Sequence, residues 1–279
     1  CGKRVLEVLD TKIDIVDKPD SLTDKVAPAV SRGKIEFRGV DFRYSAVGEG
    51  KDVLSKITFT IEPGEIVAIV GGTGSGKTSL LSLIPRLYDT TAGQVLVDGN
   101  DVRDYSLKTL RNGIGMVLQK NVLFSGTIRE NLLWGNENAS QAEIEEAGRD
   151  AQAHDFIMGF PNGYETELGQ GGVNVSGGQK QRLCIARAMM KKPRILILDD
   201  STSAVDTATE AKIRQSFYKN LNGTTVLIVA QRISSVKDAN KIIVLDDGRI
   251  SGIGTHETLF ATNTIYREIC NSQQEGLAS

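Results

Sequence analysis

Apolar and polar positions along the chain fall into distinct regimes. From Lys34 onward, strand-like alternation marks Ile35-Glu36-Phe37, Val40 to Tyr44, Ile57 to Ile61, and Gln94 to Val97 ahead of an Asp98-Gly99 turn, which predicts an antiparallel layer. Unbroken apolar runs at Ile66 to Val70, Ile195 to Leu198 and Thr225 to Val229, separated by helical segments, predict a parallel sheet covered by helices. Residues from about 121 to 180 break this rhythm. There Gln141 to Gln152 reads as a polar, Ala- and Glu-rich helix and Gly169 to Gly172 as a glycine-rich loop, so the segment is expected to be a helical insertion into an α/β core. His256 onward predicts two short helices packed on the core and then fraying. At the other end, Val5, Leu6, Val8 and Leu9 form a short helical stripe before a polar stretch with Pro19 and Pro28, a helix tail plus linker over residues 1–32.

Composition excludes more than it identifies. The 279 residues suffice for one large or two closely joined domains, and 40% apolar with 24% charged residues is ordinary for a folded protein. Thirty-three basic against 35 acidic residues leaves a net charge of −2, without the basic field of a nucleic-acid binder. Cys1, Cys184 and Cys270 lie far apart without CxxC spacing, which argues against a disulfide framework or zinc and fits a reducing compartment; two histidines are too few for a multi-His metal centre. The longest apolar runs are strand-sized, well below the roughly 20 residues that cross a bilayer. Glycine is the outlier, at 29 residues.

Part of that excess sits where chemistry needs it. The run Ile66 to Val70 leads into Gly71-Gly72-Thr73-Gly74-Ser75-Gly76-Lys77-Thr78-Ser79 and then the apolar Leu80-Leu81-Leu83-Ile84, a GxxxxGK[ST] motif between strand and helix. Backbone N–H groups cradle a phosphate chain only where no side chain blocks the approach, so the spacing predicts a phosphate loop. Lys77 is expected to reach the β- and γ-phosphates and Thr78 to ligate Mg²⁺. Asp199 and Asp200 end the buried strand Ile195 to Leu198, where a carboxylate can hold the Mg²⁺ shell; an Asp there is also a common strand terminator. Ser176, Gly177, Gly178 and Gln179 precede an Ala-rich helix, and S-x-x-Q is by itself a capping box.

Together these motifs resemble those of ABC (ATP-binding cassette) ATPases, over nearly all of residues 34–275. Val175 to Gln179 is similar to the family's LSGGQ signature, Tyr44 to the A-loop aromatic that stacks on adenine, Gln119 to the Q-loop glutamine that contacts Mg²⁺ and water, and Ser203-Ala204-Val205-Asp206 to the D-loop. Leu123 to Asn131 resembles the exporter form of the segment after the Q-loop. The resemblance implies a RecA-like P-loop core with an antiparallel β subdomain over residues 33–120 and 181–255, a helical subdomain over 121–180 and C-terminal helices over 256–279. It also implies ATP and Mg²⁺ as ligands, a head-to-tail partner domain whose ATP is met by Ser176 to Gln179, and a transmembrane domain joined through residues 1–32, at the cytoplasmic face of a membrane. A DNA-repair or translation ABC ATPase is the less favoured class, since the long coiled coil of the one and the second cassette of the other are absent.

Three positions depart from the family pattern. Asp200 stands where the catalytic carboxylate is usually Glu, and one methylene fewer withdraws it by about 1.5 Å. Gln231 stands where the family has His; it can donate to a γ-phosphate but cannot carry charge or move a proton. Gln170 and Gly171 replace the charged pair of the x-loop, a change to which no effect is assigned. The first two weaken hydrolysis and spare binding, which implies the degenerate-site half of a heterodimeric exporter. The alternative is a regulatory ATP-binding module with essentially no hydrolysis of its own.

Overall fold

A computed structural model describes residues 2, 6, 9–10, 13–17, 29–44, 52–200, 205–221, 223–229 and 232–278. Two sheets share the α/β core. The first is antiparallel, built from β1 (Ile35–Phe42), β2 (Leu54–Ile61), β4 (Ala92–Val97) and the short β5 (Asn100–Asp101) in the order β2-β1-β4-β5. The second contains β3 (Ile66–Gly71), β6 (Ile114–Val117), β9 (Ile195–Asp199), β10 (Thr225–Val229), β11 (Lys241–Asp246) and β12 (Arg249–Gly254), in the order β12-β11-β3-β10-β9-β6. All its pairings are parallel except β11 with β12.

The hydrophobic pattern explains this division. Strands β3, β9 and β10 are buried along nearly their whole length and are apolar but for Thr225 at the start of β10 and Asp199 at the end of β9, whereas β1 and β2 bury alternate residues. Phe37 and Phe59, directly opposite in the register, stack at 4.6 Å between ring centroids. Helices α1 (Lys77–Leu83), α2 (Leu107–Asn112) and α6 (Gly177–Met190) pack near the sheets. Between β6 and α6 lie a two-stranded ribbon of β7 (Gly126–Thr127) with β8 (Glu167–Leu168) and the helices α3 (Ile128–Leu133), α4 (Gln141–Asp150) and α5 (His154–Met158). Thr127 and Ser140 start α3 and α4 with full capping boxes, each closed by a Glu three residues on. α7 (Thr207–Asn220) joins β9 to β10, and α8 (His256–Thr262) and α9 (Thr264–Ala278) close the chain. The last helix runs 15 residues instead of being short, because Tyr266 and Cys270 bury its inner face.

Asp98 fastens the segment ahead of β1. Its Oδ2 accepts the backbone N–H groups of Ser31 and Arg32 at 2.7 and 3.0 Å, and its Oδ1 accepts that of Lys34 at 2.9 Å. Burial pushes this carboxyl upward, but the converging N–H donors outweigh it and hold the pKa below the ordinary value of 3.8. A depressed carboxylate pKa contributes stability above the unfolded pKa that is lost as pH falls through the folded one. Asp98→Ala is expected to lower unfolding free energy by about 2 kcal/mol at pH 7. In urea titrations the gap from wild type should narrow below pH 3.8.

Candidate functional site

β3, β10 and β9 are adjacent and parallel, so their carboxyl ends open onto one edge of the sheet, where α/β proteins bind ligands. The loop from Gly71 to Gly76 leaves β3 at that edge. Gly71 has φ 155, and a Cβ there would meet the Leu245 carbonyl oxygen at 2.2 Å and Ser75 Oγ at 2.7 Å, so only glycine lets the loop turn against β11. Gly74, at φ 79, faces open space. Lys77 opens α1, and its ammonium donates to the carbonyl oxygens of Gly71 and Gly72 at 2.9 and 2.7 Å. Burial pulls its pKa down, opposed by the charges of Asp199 and Asp200.

Thr78 and Asp199 meet across the site. Thr78 Oγ1 donates to Asp199 Oδ1 at 3.2 Å, while Asp199 Oδ2 is buried and has no hydrogen-bond partner. Burial raises this carboxyl's pKa, against the Thr78 hydrogen bond and the Lys77 charge. A buried carboxylate oxygen left without a hydrogen-bond donor, beside a threonine hydroxyl, offers two oxygen ligands of the kind a hard divalent cation takes. The residues present therefore fit Mg²⁺. Asp200 is also buried, at φ 49, a left-handed conformation that Asp adopts more readily than most residues. Its backbone N–H donates to Val229 O at 3.1 Å, and Gln119 Nε2 donates to its Oδ2 at 3.4 Å.

These groups line one cleft of about 480 Å³, of the size that small-molecule sites occupy. Its walls include Gly71, Gly72, Thr73, Gly74, Lys77, Thr78, Gln119, Asp199 and Asp200, all expected from sequence. Tyr44 stands beside the loop: its hydroxyl pairs with Ser79 Oγ at 2.7 Å, and its ring meets Phe42 and Tyr88 edge-on at 4.9 and 5.1 Å. Ser176 to Gln179 are not part of the cleft wall. They form the capping box of α6, in which Ser176 Oγ accepts the Gln179 N–H and Gln179 Oε1 accepts the Ser176 N–H. Asp206 caps α7 by accepting the Thr209 N–H at 2.9 Å. Gln231 and the D-loop residues Ser203 and Ala204 lie outside the described residues.

Sequence reasoning missed other residues of the site. Ile233, Ile269 and Gln273 also line the cleft, the last two from α9, and no motif marks them. A second groove at the junction of β6, α3 and α6 exposes Phe124 and Trp134, whose rings stack at 4.6 Å, with the Arg187 guanidinium 5.8 Å from the Phe124 ring. Both histidines are used elsewhere: His154 pairs with Tyr164 at 3.0 Å and His256 with Tyr266 at 2.9 Å.

The family model for "ABC transporter" matches residues 54–203, more than half of the chain. The chain belongs to the ABC transporter family. Its ligands are accordingly ATP with Mg²⁺, and its fold is the ABC ATPase fold. It is 44% identical over 268 residues to the "ATP-dependent lipid A-core flippase" of Syntrophus aciditrophicus (strain SB), covering 96% of this chain and 43% of that protein. It is 45% identical over 272 residues to "Uncharacterized ABC transporter ATP-binding protein YfiB" of Bacillus subtilis (strain 168), covering 98% and 46%. Among solved structures it superposes on a bacterial Atm1-family ABC exporter with ATP bound, with a TM-score of 0.90 and 36% identity over 98% of this chain and 46% of the other. The chain thus matches the nucleotide-binding domain of an ABC exporter while spanning less than half the length of these relatives.

Proposed function

We propose that this chain is the motor domain of a membrane exporter that binds Mg-ATP firmly, hydrolyses it slowly at its own site, and completes a faster site on a partner domain. The observation that carries this reading is the pairing of an intact phosphate site with a shortened carboxylate: Lys77, Thr78 and Asp199 converge, and the side chain next to them is Asp200. Thr78, Asp199 and Gln119 would hold Mg²⁺, which when bound neutralises phosphate charge. Tyr44 would stack on the adenine.

In hydrolysis the Asp200 carboxylate would take a proton from water as the water oxygen bonds to the γ-phosphorus and the bond to the β–γ bridging oxygen breaks, leaving ADP and phosphate. A general base works only within hydrogen-bond reach of its water, and about 1 Å of misplacement costs on the order of a hundredfold. Ser176 to Gln179 lie off the cleft of their own chain, which suits a role toward a nucleotide held by the partner. Residues 33–120 and 181–255 would act as core, 121–180 as the helical subdomain and 256–279 as C-terminal helices. The stacked Phe124 and Trp134, 43% and 69% exposed, would seat a transmembrane half, consistent with relatives more than twice as long. The domain would then lie at the cytoplasmic face of a membrane.

Single-turnover hydrolysis in the heterodimer, with the partner's catalytic Glu removed, tests the assignment. Slow but measurable ADP formation at this site is expected. Complete absence of turnover with retained ATP would instead make the domain a purely regulatory binder.

A further inference from the structure

Among the described residues, three aromatic rings meet beside the loop that opens α1. Tyr44 follows the end of β1, and its ring meets Phe42 at 4.9 Å and Tyr88 at 5.1 Å, edge-on in both cases, with interplanar angles of 75° and 88°. Phe42 and Tyr88 are tilted against each other at 5.6 Å. Phe42 is buried in the core, whereas Tyr44 and Tyr88 are 56% and 41% exposed. The Tyr44 hydroxyl pairs with Oγ of Ser79, a residue of α1, at 2.7 Å.

These contacts restrain Tyr44 in different ways. A tyrosine hydroxyl lies on the axis about which its ring turns, so the bond to Ser79 fixes where that axis points and leaves the plane of the ring free. Rotation about this axis is soft in itself. The plane answers instead to the rings that Tyr44 meets, because the quadrupoles of an edge-on pair favour one mutual orientation. Tyr88 can impose such an orientation because its own backbone is held. Arg86, 4% exposed, forks onto Asp89 at 2.8 and 3.1 Å, and Arg111 of α2 donates to the carbonyl oxygens of Pro85 and Arg86 at 3.1 and 2.8 Å. Further on, the Thr91 N–H donates to Asp41 O at 2.9 Å and Thr91 Oγ1 accepts the Arg43 N–H at 3.1 Å, which ties the same segment to the chain just ahead of Tyr44.

We propose that Tyr88 is a positioning residue for recognition of the nucleotide base: its ring sets the plane in which Tyr44 presents its face, and takes no part in the grip on the phosphates. The inference rests on reading Tyr44 as the residue that stacks on the base. Stacking needs parallel planes, so a Tyr44 ring released to turn about its axis loses contact with a flat base. Binding of the phosphate chain draws on Lys77 and the loop backbone and does not depend on that plane.

The test uses the 279-residue chain and two ligands, Mg-ATP and magnesium tripolyphosphate, which carries a phosphate chain without a base. Tyr88→Leu should lower Mg-ATP affinity about fivefold and leave tripolyphosphate within about twofold. Tyr88→Phe, which keeps the ring, should restore wild-type affinity for both. Tyr44→Leu, which removes the stacking face itself, should lower Mg-ATP affinity about thirtyfold and again spare tripolyphosphate. Added to Tyr44→Leu, the Tyr88→Leu change should have no further effect, because no plane is left to set. Three results overturn the role of Tyr88 and leave the base contact standing: a Tyr88→Leu loss that persists beside Tyr44→Leu, a Phe variant that behaves like Leu, or an ATP-to-tripolyphosphate ratio shifted by Tyr44→Leu and unmoved by Tyr88→Leu. A ratio that Tyr44→Leu leaves unmoved removes the reading of Tyr44 and the proposal with it. Should Tyr88→Leu fail to fold, Tyr88→Met carries the same expectations, and if neither folds Tyr88 serves the fold and the proposal falls.

Discussion

Replacing Lys77 with Ala is expected to weaken Mg-ATP binding about a hundredfold while leaving the fold intact. The ammonium makes two short bonds to loop carbonyls, at 2.9 and 2.7 Å, which shows that it sits within the curl of the loop where phosphate oxygens would be met. Hydrogen bonds to charged groups contribute about 1.5–3 kcal/mol each, and losing two at the low end of that range gives about a hundredfold. The loss falls on ligand, because the chain's own stake in Lys77 is bonds to its loop, to the Gly71 and Gly72 carbonyls and more weakly to Ser75 Oγ at 3.5 Å, while Leu80, Leu81 and Leu83 anchor α1 in the core. Calorimetric titration with Mg-ATP checks the affinity and circular dichroism the fold; an affinity within about threefold of wild type would contradict the placement of Lys77 at the phosphates.

The cleft proposed to hold the phosphates was legible because its physics is local. A loop proposed to bring backbone to phosphate would need its side chains out of the way, which accounts for Gly71 and Gly74 ahead of Lys77 after an apolar strand. The three central strands were equally plain, since burial on both faces leaves an unbroken apolar run. β6 was not, because Ile114 to Val117 is four residues long and interrupted by Gly115, whose lack of a side chain accommodates Pro193 and the Ala188 carbonyl. Gln273 and Trp134 escaped for a different reason. Each acts through a contact with residues 40 or ten positions away, and nothing in the neighbouring sequence distinguishes either from an ordinary surface side chain. The signature segment shows a third case: the capping box and the family motif use the same Ser176 and Gln179, so the local reading and the functional one are compatible rather than competing.

Converting the two departing positions, Asp200→Glu with Gln231→His, is expected to raise single-turnover hydrolysis at this site by about a hundredfold in the presence of a partner with an intact signature. The carboxylate gains about 1.5 Å of reach, and an imidazole replaces an amide that can neither take up charge nor pass a proton. The backbone sets a counter-term. Asp200 sits at φ 49, where short Asp is better tolerated than Glu, so the double variant should lose up to about 1 kcal/mol of stability. Each effect has its own readout: phosphate release reports the chemistry, and urea unfolding the backbone. Asp200→Glu alone should give part of the gain, because Gln119, which now donates to Asp200 Oδ2 at 3.4 Å, is left to meet a carboxylate displaced toward the cleft. An unchanged rate in the double variant, with Mg-ATP still bound, would mean that Asp at this position answers to the left-handed backbone rather than to slowed chemistry, and the degenerate-site assignment would fall while the ATP site stood.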